Sequence, residues 1–357
     1  MKSDSRLDAI KNWLTSELKF ENFTIEVASA DASFRRYFRL LCDGKSWIIM
    51  DAPPDKEDCR PFVHIARLIE SAGVHAPHIF NFNEAQGFML LSDLGSTAYL
   101  DKLNNESADS LYFDAIQSIV KMQTIEADIH VYDKKLLQFE MSLFSDWYIA
   151  RHLGLTLDEM QTKTVSDTFS LLTESALQQT VVFVHRDYHS RNLMITDENN
   201  PDESNSSGNN PGGNNPGGDN PGGNNPGVID FQDAVNGPPT YDLVSLIKDC
   251  YIAWPREKQL HWVDQFLQLS PIDTDRQVFI KQLDLMGLQR HLKAIGIFAR
   301  LNYRDGKSGY LKDIPRTLAY VIDACQRYEE LQNFMSLLKS LNITGDVKIL
   351  ELIGGTD

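Results

Sequence analysis

His185-Arg186-Asp187-Tyr188-His189-Ser190-Arg191-Asn192 and, later in the chain, Ile229-Asp230-Phe231 are the residues whose types and spacing could do chemistry. An aspartate, an asparagine five positions on and a second aspartate closing a short apolar strand supply three oxygen-bearing side chains. Phosphoryl transfer asks for such a set around one point. In that chemistry Asp187 accepts the proton of an attacking hydroxyl, while Asn192 and Asp230 hold the Mg2+ ions that bridge the phosphates of ATP. H-x-D and D-F pairs taken singly are common turn caps; the complete order is what carries the reading. His75 with His78, or His185 with His189, would suit zinc, but no cysteine or second histidine pair completes a tetrahedral set.

These side chains need strands to position them. Val181-Val182-Phe183-Val184 is an apolar, β-branched run that delivers His185 and Asp187 to a strand end. Leu193-Met194-Ile195 is a second run and Val228-Ile229 a third, so a hairpin is expected to bring Asn192 and Asp230 to one edge. Residues 198–227 lie inside that hairpin and differ in kind. Asn209-Asn210-Pro211-Gly212-Gly213 recurs with period five as far as Asn224-Asn225-Pro226-Gly227. Without apolar side chains such a segment cannot offset the entropy of ordering, so a flexible inserted loop is expected rather than a stacked solenoid. A tolerated surface expansion is the preferred reading over a lid.

The rest of the chain reads as two lobes of an α+β, bilobal fold. Leu7, Ile10, Leu14 and Leu18 behind Ser3 and Asp4 predict a capped amphipathic helix. Strands follow at Phe23 to Val27, Tyr37 to Cys42 and Trp47 to Met50, the last two joined by an Asp43-Gly44 turn. A helix from Arg60 to Ser71 and strands at Ile79 to Asn83 and Phe88 to Leu91 complete a β-rich nucleotide lobe, residues 1–93. Ser92-Asp93-Leu94-Gly95 is the expected hinge, where backbone groups near Asp93 would hold adenine. Residues 94–357 form the helical catalytic and substrate lobe, with helices at Tyr241 to Cys250, around Trp262, at Leu283 to Tyr303 and at Tyr310 to Leu338.

Bulk properties narrow the partners. A chain of 357 residues, 42% hydrophobic, can build both lobes, and a net charge of −16 argues against nucleic acid. No apolar run is long enough to cross a bilayer, so no membrane partner is expected. Cys42, Cys59, Cys250 and Cys325 are scattered, as suits reduced thiols in a cytoplasmic protein. A monomer or weak dimer is expected.

Three departures from the protein-kinase pattern bear on substrate. The loop Ser29 to Tyr37 has no glycine, so Ser33, Arg35 and Arg36 are the candidates for covering phosphate. Met50 stands where those enzymes keep a strand lysine, which leaves Lys45, Arg35 or Arg36 to supply the charge. Gln232 replaces the glycine of D-F-G and no A-P-E follows, which favours a small-molecule substrate. Asp242, at a helix start, is placed to accept N–H bonds from the loop of His185 and is read, with His185, as structural support. Arg290, Lys293, Arg300 and Arg304 lie largely off the apolar stripe Leu285, Leu288, Leu292, Ile295 and Ala299. They read as an anion or sugar pocket, or as a solvated basic face.

On these residues the chain resembles the aminoglycoside phosphotransferase superfamily. The narrower resemblance is to bacterial kinases of the cell-wall amino sugars N-acetylmuramate and N-acetylglucosamine. It rests on Asp31 to Arg39, Met50 to Pro54, His185 to Asn192, Asp230 to Ala234 and Gln289 to Asp305, in order along the chain. The resemblance implies a kinase-like fold and transfer of phosphate from ATP to the anomeric hydroxyl of a small sugar, in peptidoglycan recycling. It makes Asp187 the base and Asn192 and Asp230 the Mg2+ ligands; the Asn-Pro-Gly-Gly repeat is not part of the family's pattern. A kinase for an aminoglycoside, choline or amino alcohol stays open, since a cationic substrate would suit the acidic chain. So does a nucleotide-binding pseudokinase scaffold, against which the intact Asp187, Asn192 and Asp230 speak.

Overall fold

The computed structural model describes residues 4–30, 34–196 and 226–355. The first third of the chain forms α1 (Ser5–Ser16), β1 (Thr24–Ala30), β2 (Arg36–Cys42), β3 (Lys45–Asp51), α2 (Arg60–Ser71), β4 (Ile79–Asn83) and β5 (Phe88–Ser92). Next come α3 (Tyr99–Lys102), α4 (Ala108–Met122), α5 (Lys134–Leu143), a π-helical stretch (Phe144–His152) and α6 (Glu159–Leu177). Four short strands follow: β6 (Val182–Val184), β7 (Leu193–Met194), β8 (Gly227–Val228) and β9 (Val235–Gly237). The remainder is helical: α7 (Thr240–Ile247), α8 (Arg256–Leu269), α9 (Arg276–Asp305), α10 (Ile314–Arg327), α11 (Gln332–Ser340) and α12 (Val347–Ile353). Ser33 and nearly all of the Asn/Pro/Gly repeat lie outside the described residues. Among the described residues no helix is long and apolar enough to cross a membrane.

The chain divides into two compact units, Met1–Thr97 with Met194–Gln232, and Ala98–Leu193 with Asp233–Asp357. The sequence reading parts the lobes at 93/94 and keeps 194–232 with the helical lobe; the compact division instead groups that segment with the strands. In the first unit the strands form an antiparallel sheet of order β1-β2-β3-β5-β4. The β2–β3 hairpin closes through Asp43 and Gly44, both at positive φ (50° and 77°), the backbone that a two-residue turn needs to match strand twist. Asp4 caps α1 by accepting from the Leu7 N–H at 3.2 Å. Ile10, Trp13 and Leu14 of α1 pack against Phe38, Leu40, Ile49, Phe88 and Leu90 of the sheet.

The second unit is built on α9, a helix of 30 residues capped by Asp275 and ended by the left-handed Gly306. It is longer than the Leu283 to Tyr303 span that apolar periodicity predicts. Its core joins Leu288, Leu292, Ile295 and Ala299 to residues of α5, the π-helical stretch, α6, α10 and α11. At Gly296 a Cβ would sit 2.3 Å from the carbonyl carbon of Leu143, so only glycine lets α9 pass the end of α5 this closely. The single helix expected over Tyr310 to Leu338 is broken in two. Tyr328 leaves helical backbone (φ −117°, ψ 126°), and its hydroxyl donates to Asp284 on α9 at 2.8 Å. That tertiary bond has no signal in local periodicity. β9 and α12 also go unforeseen.

Candidate active site

The loop of Asp187 follows β6, whose Phe183 and Val184 are fully buried and whose residues pair with β9 as Val182↔Gly237, Phe183↔Asn236 and Val184↔Val235. The chain then turns tightly. The Asp187 carbonyl accepts from the His189 N–H at 3.0 Å and from the Asn192 side-chain Nδ2 at 3.0 Å. That second bond turns the nitrogen end of the Asn192 amide to the loop and fixes its rotamer. The Asp187 N–H donates to His185 Nδ1 at 3.2 Å, which requires that ring nitrogen to be unprotonated. Tyr188 anchors the middle of the loop through its hydroxyl, which donates to the Ala115 carbonyl at 2.9 Å.

Two buried carboxylates hold the loop from below. Asp242, on the wholly buried α7, accepts the His185 N–H at 2.7 Å and the Arg186 N–H at 3.0 Å, the support expected of it. Asp249 accepts the Ser190 N–H at 2.9 Å and the Ser190 hydroxyl at 2.5 Å, and its other oxygen takes the Tyr251 N–H at 2.9 Å. The sequence reading missed Asp249. It lies seven residues after Asp242, a spacing that could have marked one face of a helix. A third acid, Glu140 of α5, pairs with Arg186 and with Lys293 Nζ at 3.1 Å. It too was missed, although an acid set among Leu137, Met141 and Phe144 at helical spacing signals a buried charge.

Electrostatics follow from this packing. Burial works against ionisation of Asp187, but the charges of its surroundings, Lys293 and Arg186 among them, outweigh it and hold the carboxyl below its usual range. Glu140 is treated alike: burial raises it, Lys293 and Arg186 lower it further, and it remains ionised.

The four candidates on α9, Arg290, Lys293, Arg300 and Arg304, do not share one fate. Lys293 is buried and donates to the Tyr241 hydroxyl at 3.1 Å as well as to Glu140. Arg290 is buried with its Nη1 3.5 Å from Cys250 Sγ. Both belong to the interior rather than to an open sugar pocket or a solvated face, because α5 and α7 cover that side of the helix. Arg304 is exposed and paired with Asp305 at 2.7 Å. Arg300 is half-buried, its Nε has no hydrogen-bond partner, and burial, with Arg304 adding to it, lowers its pKa.

In the first unit Asp230 follows β8 in left-handed backbone (φ 66°) and accepts from Gln232 Nε2 at 2.9 Å. Phe231 is buried and packs against Phe62, the rings tilted at 36° with centroids 4.9 Å apart. Arg35 pairs with Glu57 at 3.2 Å and feels the charge of Asp230. Arg36 is engaged otherwise: it pairs with Asp51 at 2.5 Å and with Asp4 at 2.5 Å, across the root of the sheet. Asp93, expected at the nucleotide, is bound by Arg39 through two bonds of 2.6 and 3.0 Å. Both pairs tie elements of the first unit together. Met50 is fully buried on β3.

An antiparallel five-stranded unit, a helical unit and a D-x-x-x-x-N loop define the class, a kinase-like phosphotransferase. The profile of the phosphotransferase enzyme family (APH) matches residues 24–202 and 219–276, and the chain belongs to that family. The break in the match, residues 203–218, overlaps the Asn/Pro/Gly repeat. The chain is 41% identical over 355 residues to the N-acetylmuramate/N-acetylglucosamine kinase of Pseudomonas putida, covering 95% of this chain and 97% of that one. It is also 41% identical to the enzyme of that name from Pseudomonas aeruginosa, covering 96% and 98%. Among solved structures the ADP-bound aminoglycoside phosphotransferase APH(2'')-Ib shares the fold, with a TM-score of 0.55 at 15% identity over 87% of this chain and 97% of that one.

Proposed function

We propose that the chain is an ATP-dependent sugar kinase that phosphorylates the anomeric hydroxyl of N-acetylmuramate and N-acetylglucosamine. One observation carries the choice of sugar: the likeness to the Pseudomonas kinases, at 41% identity, runs over 95% or more of this chain. ADP in an enzyme of the same fold supports an adenine nucleotide as donor. Four free thiols support a reducing compartment, the cytoplasm.

In this reading the anomeric oxygen attacks the γ-phosphorus, its proton passes to the Asp187 carboxylate, the bond to the β-phosphate oxygen breaks and ADP leaves. The cationic surroundings of Asp187 keep it ionised and ready for that proton. Asn192 and Asp230 offer an amide and a carboxylate, hard oxygen donors that suit Mg2+ and not a softer metal. When bound there, Mg2+ supplies neutralisation of phosphate charge. The bond from Asn192 Nδ2 to the Asp187 carbonyl holds the metal-ligand candidate in fixed relation to the base. Arg35, close in charge to Asp230, is the phosphate cation of the first unit. Arg300, whose Nε lacks a partner, is the cation for the carboxylate of N-acetylmuramate.

Asp187→Asn tests the base. Turnover should fall ~10²–10⁴-fold while ATP binding, followed by calorimetry, is retained. Near-wild-type turnover in that variant contradicts the assignment.

A further inference from the structure

Glu140 stands far from the loop of Asp187 in sequence, yet its carboxylate is the hub of a buried polar cluster. It is 4% exposed, on the apolar face of α5. One carboxylate oxygen takes both the Arg186 guanidinium and Lys293 Nζ; the other takes the Tyr132 hydroxyl. The cluster is closed around it. Lys293 also donates to the Tyr241 hydroxyl, and Gln289 Nε2 donates to the Tyr132 hydroxyl, each at 3.1 Å. Arg186 Nη1 donates to the Asp233 carbonyl at 3.1 Å, and the guanidinium lies 5.7 Å over the Tyr132 ring.

The backbone of Arg186 explains what the cluster does. Its φ is +77°, a left-handed conformation that a residue with a Cβ enters only when its surroundings impose it. Asp242 holds the peptide N–H of Arg186 from one side; Glu140 holds the far end of the same residue by its guanidinium. Asp187 is the next residue, so any relaxation at Arg186 carries the Asp187 carboxylate with it. Lys293 completes the device by sharing the same carboxylate from α9, a helix otherwise fixed in the core.

We infer that Glu140 and Lys293 are positioning residues for phosphoryl transfer. They clamp Arg186 in left-handed backbone and through it place Asp187, and they touch neither sugar nor nucleotide. The inference rests on Asp187 being the base. It moves Lys293 out of the set of sugar-binding candidates.

The test compares kcat and both KM values, with melting temperature as a control, in Glu140→Gln, Lys293→Met and the double variant. Glutamine keeps the shape of the hub and removes its charge. Glu140→Gln should lower kcat ten- to a hundredfold with little change in either KM, the mark of a displaced catalytic group. The double variant should lose no more than the worse single, since the two act as one unit. Should the glutamine variant fail to fold, Tyr132→Phe removes only the hydroxyl that orients Glu140, and a smaller kcat loss at unchanged KM is expected. Unchanged kcat in the folded variants, or losses that multiply in the double, would overturn the inference. A rise in sugar KM alone in Lys293→Met would return that lysine to the substrate. Asp187→Asn, run alongside, separates the two claims: turnover surviving there removes the base itself, whereas a dead Asp187→Asn beside an intact Glu140→Gln removes only the clamp.

Discussion

In the proposed reaction Asp187 takes a proton from a hydroxyl, which needs a fixed place and an ionised resting state, and different neighbours meet those needs. Asp242, Asp249 and Glu140 hold the loop at His185 and Arg186, at Ser190, and at the Arg186 side chain. Lys293 and Arg186 keep the carboxyl charged. Arg300, the cation proposed for the sugar carboxylate, differs from the other three candidates on α9, because it alone of the four is neither interior nor salt-bridged among the described residues. Arg300→Ala should therefore lower kcat/KM for N-acetylmuramate roughly ten- to a hundredfold, the value of a charge-assisted bond, and largely spare N-acetylglucosamine, which lacks the carboxylate. Side-by-side kinetics on the two sugars decide it; equal losses on both would place Arg300 in the fold or at the phosphates. Asp187, Asn192 and Asp230 stand out in the sequence because their types and order are local. Glu140 and Asp249 do not, because they reach the loop from 46 and 59 residues away. Lys293 and Arg290 read as surface cations for the same reason: what covers them lies on other elements.

Elements defined by local rules were legible, and those defined by tertiary contact were not. Asp43-Gly44 flanked by apolar strands announces its hairpin, and the apolar period of Arg60 to Ser71 announces α2. The break at Tyr328 comes from a hydroxyl bonded to Asp284, so no reading of that stretch alone finds it. The π-helical stretch begins at Phe144, directly after Leu143, the residue against which Gly296 lets α9 close. That contact predicts a cost for filling the gap. Gly296→Ala puts a Cβ 2.3 Å from a backbone carbonyl carbon, which cannot yield as a side-chain tip would. The variant should lose about 1–3 kcal/mol in urea unfolding despite the better helix propensity of alanine. Equal or greater stability would mean that α9 and α5 are not held at this distance.

For the whole molecule, the chain divides into two compact units. The repeat is foreign to both in composition, and the family match resumes at residue 219 after breaking at 202. The net charge of −16 left a cationic alcohol open as substrate, whereas likeness over nearly the full chain to kinases named for two uncharged or acidic sugars supports the reading adopted here. The central claim is the bond that the enzyme makes. It is tested most directly by incubating the full chain with ATP and Mg2+ against a panel of amino sugars and cationic alcohols. ADP release is measured for each, and the phosphate is located by phosphorus NMR. The account predicts ADP release with N-acetylmuramate and N-acetylglucosamine and a phosphorus signal coupled to the anomeric proton of each sugar. Turnover confined to the cationic alcohols, or phosphate on any other hydroxyl, would contradict it.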